Sequence, residues 1–187
     1  DYEELLKTSL LKCPTLLSFL LGKERPALFR IKLDVPPSEI LKEPIPMVRS
    51  QGLIETVKSV ARNKVVAAKL LAGLEGETLQ SGVIKSDSLA GLLKQNVKYA
   101  FIFSETGLEF IQISNSPIGF FATKHNVMSQ LNPVAFAGEF WLDPNGVLHV
   151  SNSSGSYQPK KELLPKVGEV FRRNFDIPVK LEAHDGK

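Results

Sequence analysis

Residues 134–152 read VAFAGEFWLDPNGVLHVSN. Two runs rich in strand formers, Val134–Leu142 and Val147–Asn152, flank Asp143-Pro144-Asn145-Gly146. Proline fixes φ at the first turn position, asparagine tolerates the next, and glycine supplies φ > 0. These residues predict a β-hairpin with a Pro-Asn-Gly loop and Gly146 in the left-handed bulge position. The loop sets a register in which Asp143 faces Val147, Trp141 faces His149 and Glu139 faces Ser151. Phe140, Leu142, Leu148 and Val150 then share the opposite, apolar face. A slip of one residue would mix the two sets, so the hydrophobic pattern selects this pairing.

Outward from the hairpin, Lys98–Ser104 and Leu108–Ser114 alternate as strands and are joined by Glu105-Thr106-Gly107, a second hairpin. Thr123 caps a short helix, Lys124–Leu131, which Asn132-Pro133 stops, and Phe120–Ala122 reads as the end of a strand. Downstream, Leu163, Leu164, Val167, Val170, Phe171 and Phe175 form the buried stripe of a terminal helix that starts near Pro165. Val179–Leu181 adds an edge strand.

The first half is richer in helices. Glu3–Leu21 is helical with an interruption at Pro14, Leu53–Leu71 is the strongest amphipathic helix, and Gly73 and Gly76 mark its end. Asp87–Gln95 is a shorter helix capped by Ser86, with Asn96 in the left-handed exit position. Ala27–Leu33 is a strand. Asp34–Met47 is an irregular connection in which Ser38 caps one helical turn. The expected fold is α+β: a mainly antiparallel sheet built from hairpins, with helices packed against one face. One domain, 1–187, is expected, helix-rich over 1–96, β-rich over 97–158, and closed by a helix and short strand over 159–187.

Composition narrows the function. A chain of 187 residues with 43% hydrophobic and 23% charged residues is ordinary for a globular protein. The net charge of +3 is too small an excess to argue for nucleic acid. The single cysteine, Cys13, allows no internal disulfide and points to a reducing compartment, so a cytoplasmic location is expected, or delivery into a cytosol as part of a larger protein. Asp1, Glu3 and Glu4 have the wrong sign for a secretion signal. Leu16–Leu21, broken by Ser18, is far shorter than the ~20 residues a membrane span needs. His125, His149 and His184 lack metal-ligand spacing, and no nucleotide fingerprint or nucleophile elbow is present, so no metal or cofactor is expected. The basic residues Lys160, Lys161, Lys166, Arg172 and Arg173 fall on the solvent side of the last helix.

Three features remain as chemistry. Lys124-His125 opens a short helix, where an imidazole serves as a proton carrier or is satisfied by a backbone carbonyl. Glu139 stands mid-strand between small residues, as a general base or ligand acceptor, or as an exposed strand residue. The loop Asn152-Ser153-Ser154-Gly155-Ser156-Tyr157 offers an anion-holding nest, or a connection that satisfies its own backbone and docks Tyr157 on the core.

ATKH at 122–125, AGEF at 137–140 and NSSGSYQP at 152–159 together resemble a pattern found in fungal and other microeukaryotic proteins and in some bacterial multidomain toxins or effectors. The resemblance spans about forty residues and brings no established activity with it. It singles out His125, Glu139, Asn152, Ser154, Gly155 and Tyr157. Many proteins of that kind carry His or Thr where this chain has Ser156.

Two functions follow as expectations. The first is an interaction or regulatory module, part of a larger effector-like protein, that presents Glu139 and the Asn152–Tyr157 loop to a protein partner or small ligand. The second is an enzyme, a transferase or hydrolase acting on a nucleotide or phosphate-bearing substrate. It would use His125, Glu139 and Tyr157 for catalysis and Lys124, Asn152, Ser154 and Gly155 for binding.

Overall fold

The computed structural model describes residues 28–48, 76–79, 84–113, 125–129 and 132–185. The expected helices at 3–21 and 53–71, the strand end at 120–122, the cap at Thr123, and Lys124 and Cys13 lie outside the described residues.

The hairpin forms in the register expected from its turn. Strand β6 (Phe136–Leu142) pairs antiparallel with β7 (Leu148–Ser151), with Glu139 opposite Ser151, Phe140 opposite Val150, and Trp141 opposite His149. Gly146 has φ +80, the conformation the loop requires of it. Asp143 Oδ1 accepts from the amides of Asn145 at 2.8 Å and Val147 at 3.0 Å, which pins the turn.

The other strands are β1 (Leu28–Lys32), β2 (Gly76–Leu79), β3 (Ile84–Lys85), β4 (Tyr99–Phe103), β5 (Gly107–Gln112), β8 (Phe175–Asp176) and β9 (Val179–Glu182). Among the described residues they give a 7-stranded sheet in the order β2-β1-β5-β4-β6-β7-β9, and a 2-stranded sheet of β3 and β8. The four inner pairings, β1–β5, β5–β4, β4–β6 and β6–β7, are antiparallel. The two outer ones, β1–β2 and β7–β9, are parallel. The class is α+β with a mainly antiparallel sheet.

Helices α1 (Pro37–Ile40), α2 (Ser86–Leu92) and α4 (Leu164–Asn174) pack on one face, and the single turn α3 (His125–Met128) lies on the other. On the first face Tyr99, Phe101, Phe103, Phe110, Phe136 and Phe140 meet Val167, Val170 and Phe171 of α4. Phe171 stands 5.1 Å from Phe103, 5.6 Å from Phe101 and 6.0 Å from Phe140 between ring centroids. Such ring pairs add about 0.5–1.5 kcal/mol each beyond the area they bury. Asn174, fully buried, spends its amide on main chain: its Nδ2 donates to Val35 and Val170 carbonyls, and its Oδ1 accepts from the Val35 amide. This bond set fastens the end of α4 to the chain leaving β1.

Several readings are corrected. The sheet is covered on both faces at its centre: β4 is buried at every position, because Ala100 and Ile102 pack with Met128, Val134, Ala137 and Tyr157 on the second face. Ser38 does not cap α1; Pro36 occupies that position, no side chain caps it, and Pro37 starts the turn with φ already suited to a helix. Gly76 opens β2, a strand too short and polar to stand out as Gly-Glu-Thr-Leu. Helix α2 stops at Leu92 rather than Gln95, although Asn96 does take the left-handed conformation, φ 61. Phe175 is buried as expected but belongs to β8, because the backbone turns extended there, φ −131 and ψ 137.

Replacing Phe171 by alanine should cost about 3–5 kcal/mol of unfolding free energy, because the ring leaves a cavity among other rings that cannot collapse into it. Urea denaturation followed by far-UV circular dichroism measures the loss.

Candidate functional site

Strand β6 alternates with period two, so Ala137, Glu139 and Trp141 point to the second face. Across β4 the partner of Glu139 is Ala100, and across β7 it is Ser151, both small. Glu139 is half-buried, and its carboxylate makes no hydrogen bond or ion pair among the described residues.

His125 is brought to the same strand. It is buried at the start of α3, and its Nε2 donates to the Gly138 carbonyl at 2.7 Å, one residue from Glu139. A carbonyl only accepts, so Nε2 carries the proton and does not act as a base in this arrangement. Gly138 is required there: a Cβ would lie 2.0 Å from the Ser151 carbonyl oxygen.

Tyr157 also reaches the second face, where it is 1% exposed. Its hydroxyl donates to the Asn132 carbonyl at 2.7 Å and therefore accepts from Ser129 Oγ. Burial pushes the phenol pKa up, partly offset by the Ser129 hydrogen bond. Tyr157 thus ties the loop to the segment that follows α3.

The rest of that loop is committed internally. Both amide hydrogens of Asn152 are used, on the carbonyls of Pro159 and His184 at 2.9 and 2.8 Å, and its Oδ1 accepts from the His184 amide at 2.7 Å. Ser154 Oγ accepts from the Tyr157 amide and its carbonyl from the Gln158 amide. Gly155 is exposed and its φ is not positive; Gln158 takes the left-handed position instead, φ 46. A backbone nest around Gly155 would need the left-handed residue there, so the anion-holding geometry does not form at that glycine. The structure brings His125, Glu139 and Tyr157 to one face of the sheet and leaves Asn152 and Ser154 as fastenings.

A cleft of about 800 Å³ opens on this face at the other end of β4, over Ile102, Met128 and Val134, with Arg30, Lys42 and Glu105 at its rim. Its lining includes neither Glu139 nor His125. Arg30 is paired there with Glu109 across β1 and β5 at 2.7 Å.

The electrostatic centre missed by sequence reasoning is His149. Its Nε2 bonds Asp143 Oδ2 at 2.9 Å and its Nδ1 bonds Glu182 Oε1 at 2.8 Å. Carboxylates only accept, so the ring satisfies both at once in its protonated form, where both nitrogens donate. Trp141 stacks on it, 5.3 Å between centroids and 11° between planes, and Lys98 Nζ stands 5.1 Å from the Trp141 ring centre. The hairpin register places His149 beside Trp141, which the sequence shows; the approach of Glu182 comes from the β7–β9 pairing, which it does not.

Comparison with family models, with curated proteins and with solved structures finds no match to this chain. Among the described residues no group of three or more His, Cys, Asp or Glu side chains could hold a metal ion, and no helix is long and apolar enough to cross a membrane.

Two measurements probe this arrangement. Tyr157→Phe leaves the Asn132 carbonyl without its donor inside the protein and should cost about 1–3 kcal/mol in denaturant unfolding. For the ionic cluster, the bond to Asp143 first and that to Glu182 second raise the His149 pKa above its usual 6.5, while the bond to His149, followed by the Val147 amide, holds Asp143 below 3.8. A raised histidine stabilises fully below its unfolded pKa and loses that contribution as pH climbs through the folded value. A depressed aspartate stabilises above its unfolded pKa and loses that as pH falls through the folded value. The cluster therefore contributes in full between pH 3.8 and 6.5. Urea midpoints taken from pH 5.5 to pH 9 should decline in the wild type, and His149→Phe should flatten that decline.

Proposed function

We propose that this chain is an interaction or regulatory module that offers the Glu139 carboxylate to a hydrogen-bond donor of a protein partner, and that it works as part of a larger effector-like protein. The observation that carries the reading is the state of that carboxylate. It is half-buried with no partner among the described residues, while Asp143, Asn152, Ser154, Tyr157 and Glu182 all have theirs. Removing a carboxylate from water without a compensating bond is unfavourable, so an incoming amine, guanidinium or amide gains by meeting it. Ala100 and Ser151 flank it with little bulk. Placement in a larger protein rests on the resemblance of ATKH, AGEF and NSSGSYQP to segments of toxin- and effector-associated proteins.

The enzymatic reading, with His125 and Glu139 as an acid–base pair on a phosphate-bearing substrate, has less support. The Nε2 proton of His125 is spent on the Gly138 carbonyl and the Tyr157 hydroxyl proton on the Asn132 carbonyl, so neither is available to a substrate in this arrangement. The cleft over Ile102, Met128 and Val134 is lined by neither His125 nor Glu139.

Peptide display against the wild-type chain, counter-selected on Glu139→Gln, tests the module. Sequences bearing Lys, Arg, Asn or Gln should be enriched, and Glu139→Gln should keep its stability within about 0.5 kcal/mol. If no binder depends on Glu139, or if the substitution unfolds the chain, the reading fails.

A further inference from the structure

Strand β9 is the outer strand of the sheet beside β7, and its final residue, Glu182, reaches back to His149. The same imidazole holds Asp143 at the hairpin turn. One ring therefore joins two segments that are far apart in sequence. We propose that His149 is a proton-operated clasp that fastens β9 to the hairpin, and that the end of β9 opens from β7 when the ring loses its proton.

The argument is geometric. A neutral imidazole has one N–H and one lone pair, so it can satisfy one carboxylate and must turn its lone pair on the other. Asp143 is the better held of the two. Its Oδ1 accepts from two turn amides, so its Oδ2 stays beside Nε2 whatever the ring does. Glu182 has a longer side chain, is 36% exposed, and among the described residues otherwise meets only Lys180 at 3.9 Å. The proton accordingly stays on Nε2, the Nδ1 lone pair faces Glu182 Oε1, and Glu182 is the group that moves.

The charged neighbours on each adjoining element act in a consistent sense. Asp143 from the turn and Glu182 from β9 favour the charged ring. Lys180 on β9, directly opposite His149, and Lys98 before β4, beyond the Trp141 ring, oppose it. Glu139 lies two residues from Trp141 on the same strand face and adds a further negative charge to that side. The two carboxylates in direct contact outweigh cations held farther off.

What remains on β9 after Glu182 leaves is the ladder to β7, Leu181 against Gly168, and the bonds of Asn152 to His184. The expected change is thus local opening at the end of the strand rather than its departure. The consequence is a short uncovered stretch of edge at the Val150–Ser151 end of β7, where backbone groups can meet another strand.

Hydrogen exchange followed by NMR tests this, with rates corrected for their intrinsic pH dependence. Protection at Lys180–His184 should fall roughly two- to fivefold, relative to β4 and β5, as His149 deprotonates, in keeping with a partly exposed ion pair. Its midpoint should match the titration of the His149 ring signals. Glu182→Gln supplies an amide donor to the Nδ1 lone pair and should keep β9 protected through the same pH range. His149→Phe should show low protection at every pH. The inference is overturned if Lys180–His184 track β4 and β5 throughout, or if Glu182→Gln leaves the step in place.

Discussion

Phe101 and Phe140 lie ring over ring, 5.1 Å between centroids, on neighbouring central strands of the sheet, and the rest of the structure depends on keeping that pair dry. Phe171 closes over them from α4, Phe110 and Tyr99 flank Phe140 from β5 and β4, and Phe136 extends the row along β6. Because side chains alternate along a strand, fixing Phe140 inward turns Glu139 and Trp141 outward. The position of the Glu139 carboxylate, unpartnered among the described residues, is therefore a by-product of core packing: moving it to the other face would require exposing the aromatic row.

The second face is handled differently. There one buried ring, Tyr157, packs among small and aliphatic residues and is held by hydrogen bonds through its hydroxyl. Ala100 and Ala137 leave room for Tyr157, whose hydroxyl sits between Ser129 and the Asn132 carbonyl. Asn152 performs a similar duty at the other end of the loop, joining Pro159 and His184. Buried polar groups of this kind are costly unless satisfied, and here they are satisfied by the chain itself. The result is a serine- and glycine-rich loop that fastens the sheet, with Glu139 left as the polar exception at the border of the covered region.

Much of this was legible in the sequence because it rests on local rules. Pro144-Asn145-Gly146 dictates the turn, the turn dictates the register, and alternation then places Glu139, Trp141, His149 and Ser151 on one side. Pro165 near the start of α4, the stripe from Leu164 to Phe171, and Asn96 in the left-handed region follow from equally short-range causes. The parallel pairings β1–β2 and β7–β9 were not legible, since a parallel partner is set by a crossover and leaves no local signature.

The site divides along the same line. By itself the sequence determined which face of the hairpin is apolar, which residues share its other face, and that a mainly antiparallel sheet with helices would result, because backbone sterics and hydrophobic period act over a few residues. Only the tertiary structure decided what each polar group meets. It gave His125 the Gly138 carbonyl, Tyr157 the Asn132 carbonyl, Asn152 the main chain of His184, and His149 a second carboxylate from Glu182. A hydrogen bond is satisfied by whatever acceptor the folded chain brings within about 3 Å, and sequence distance does not encode that approach.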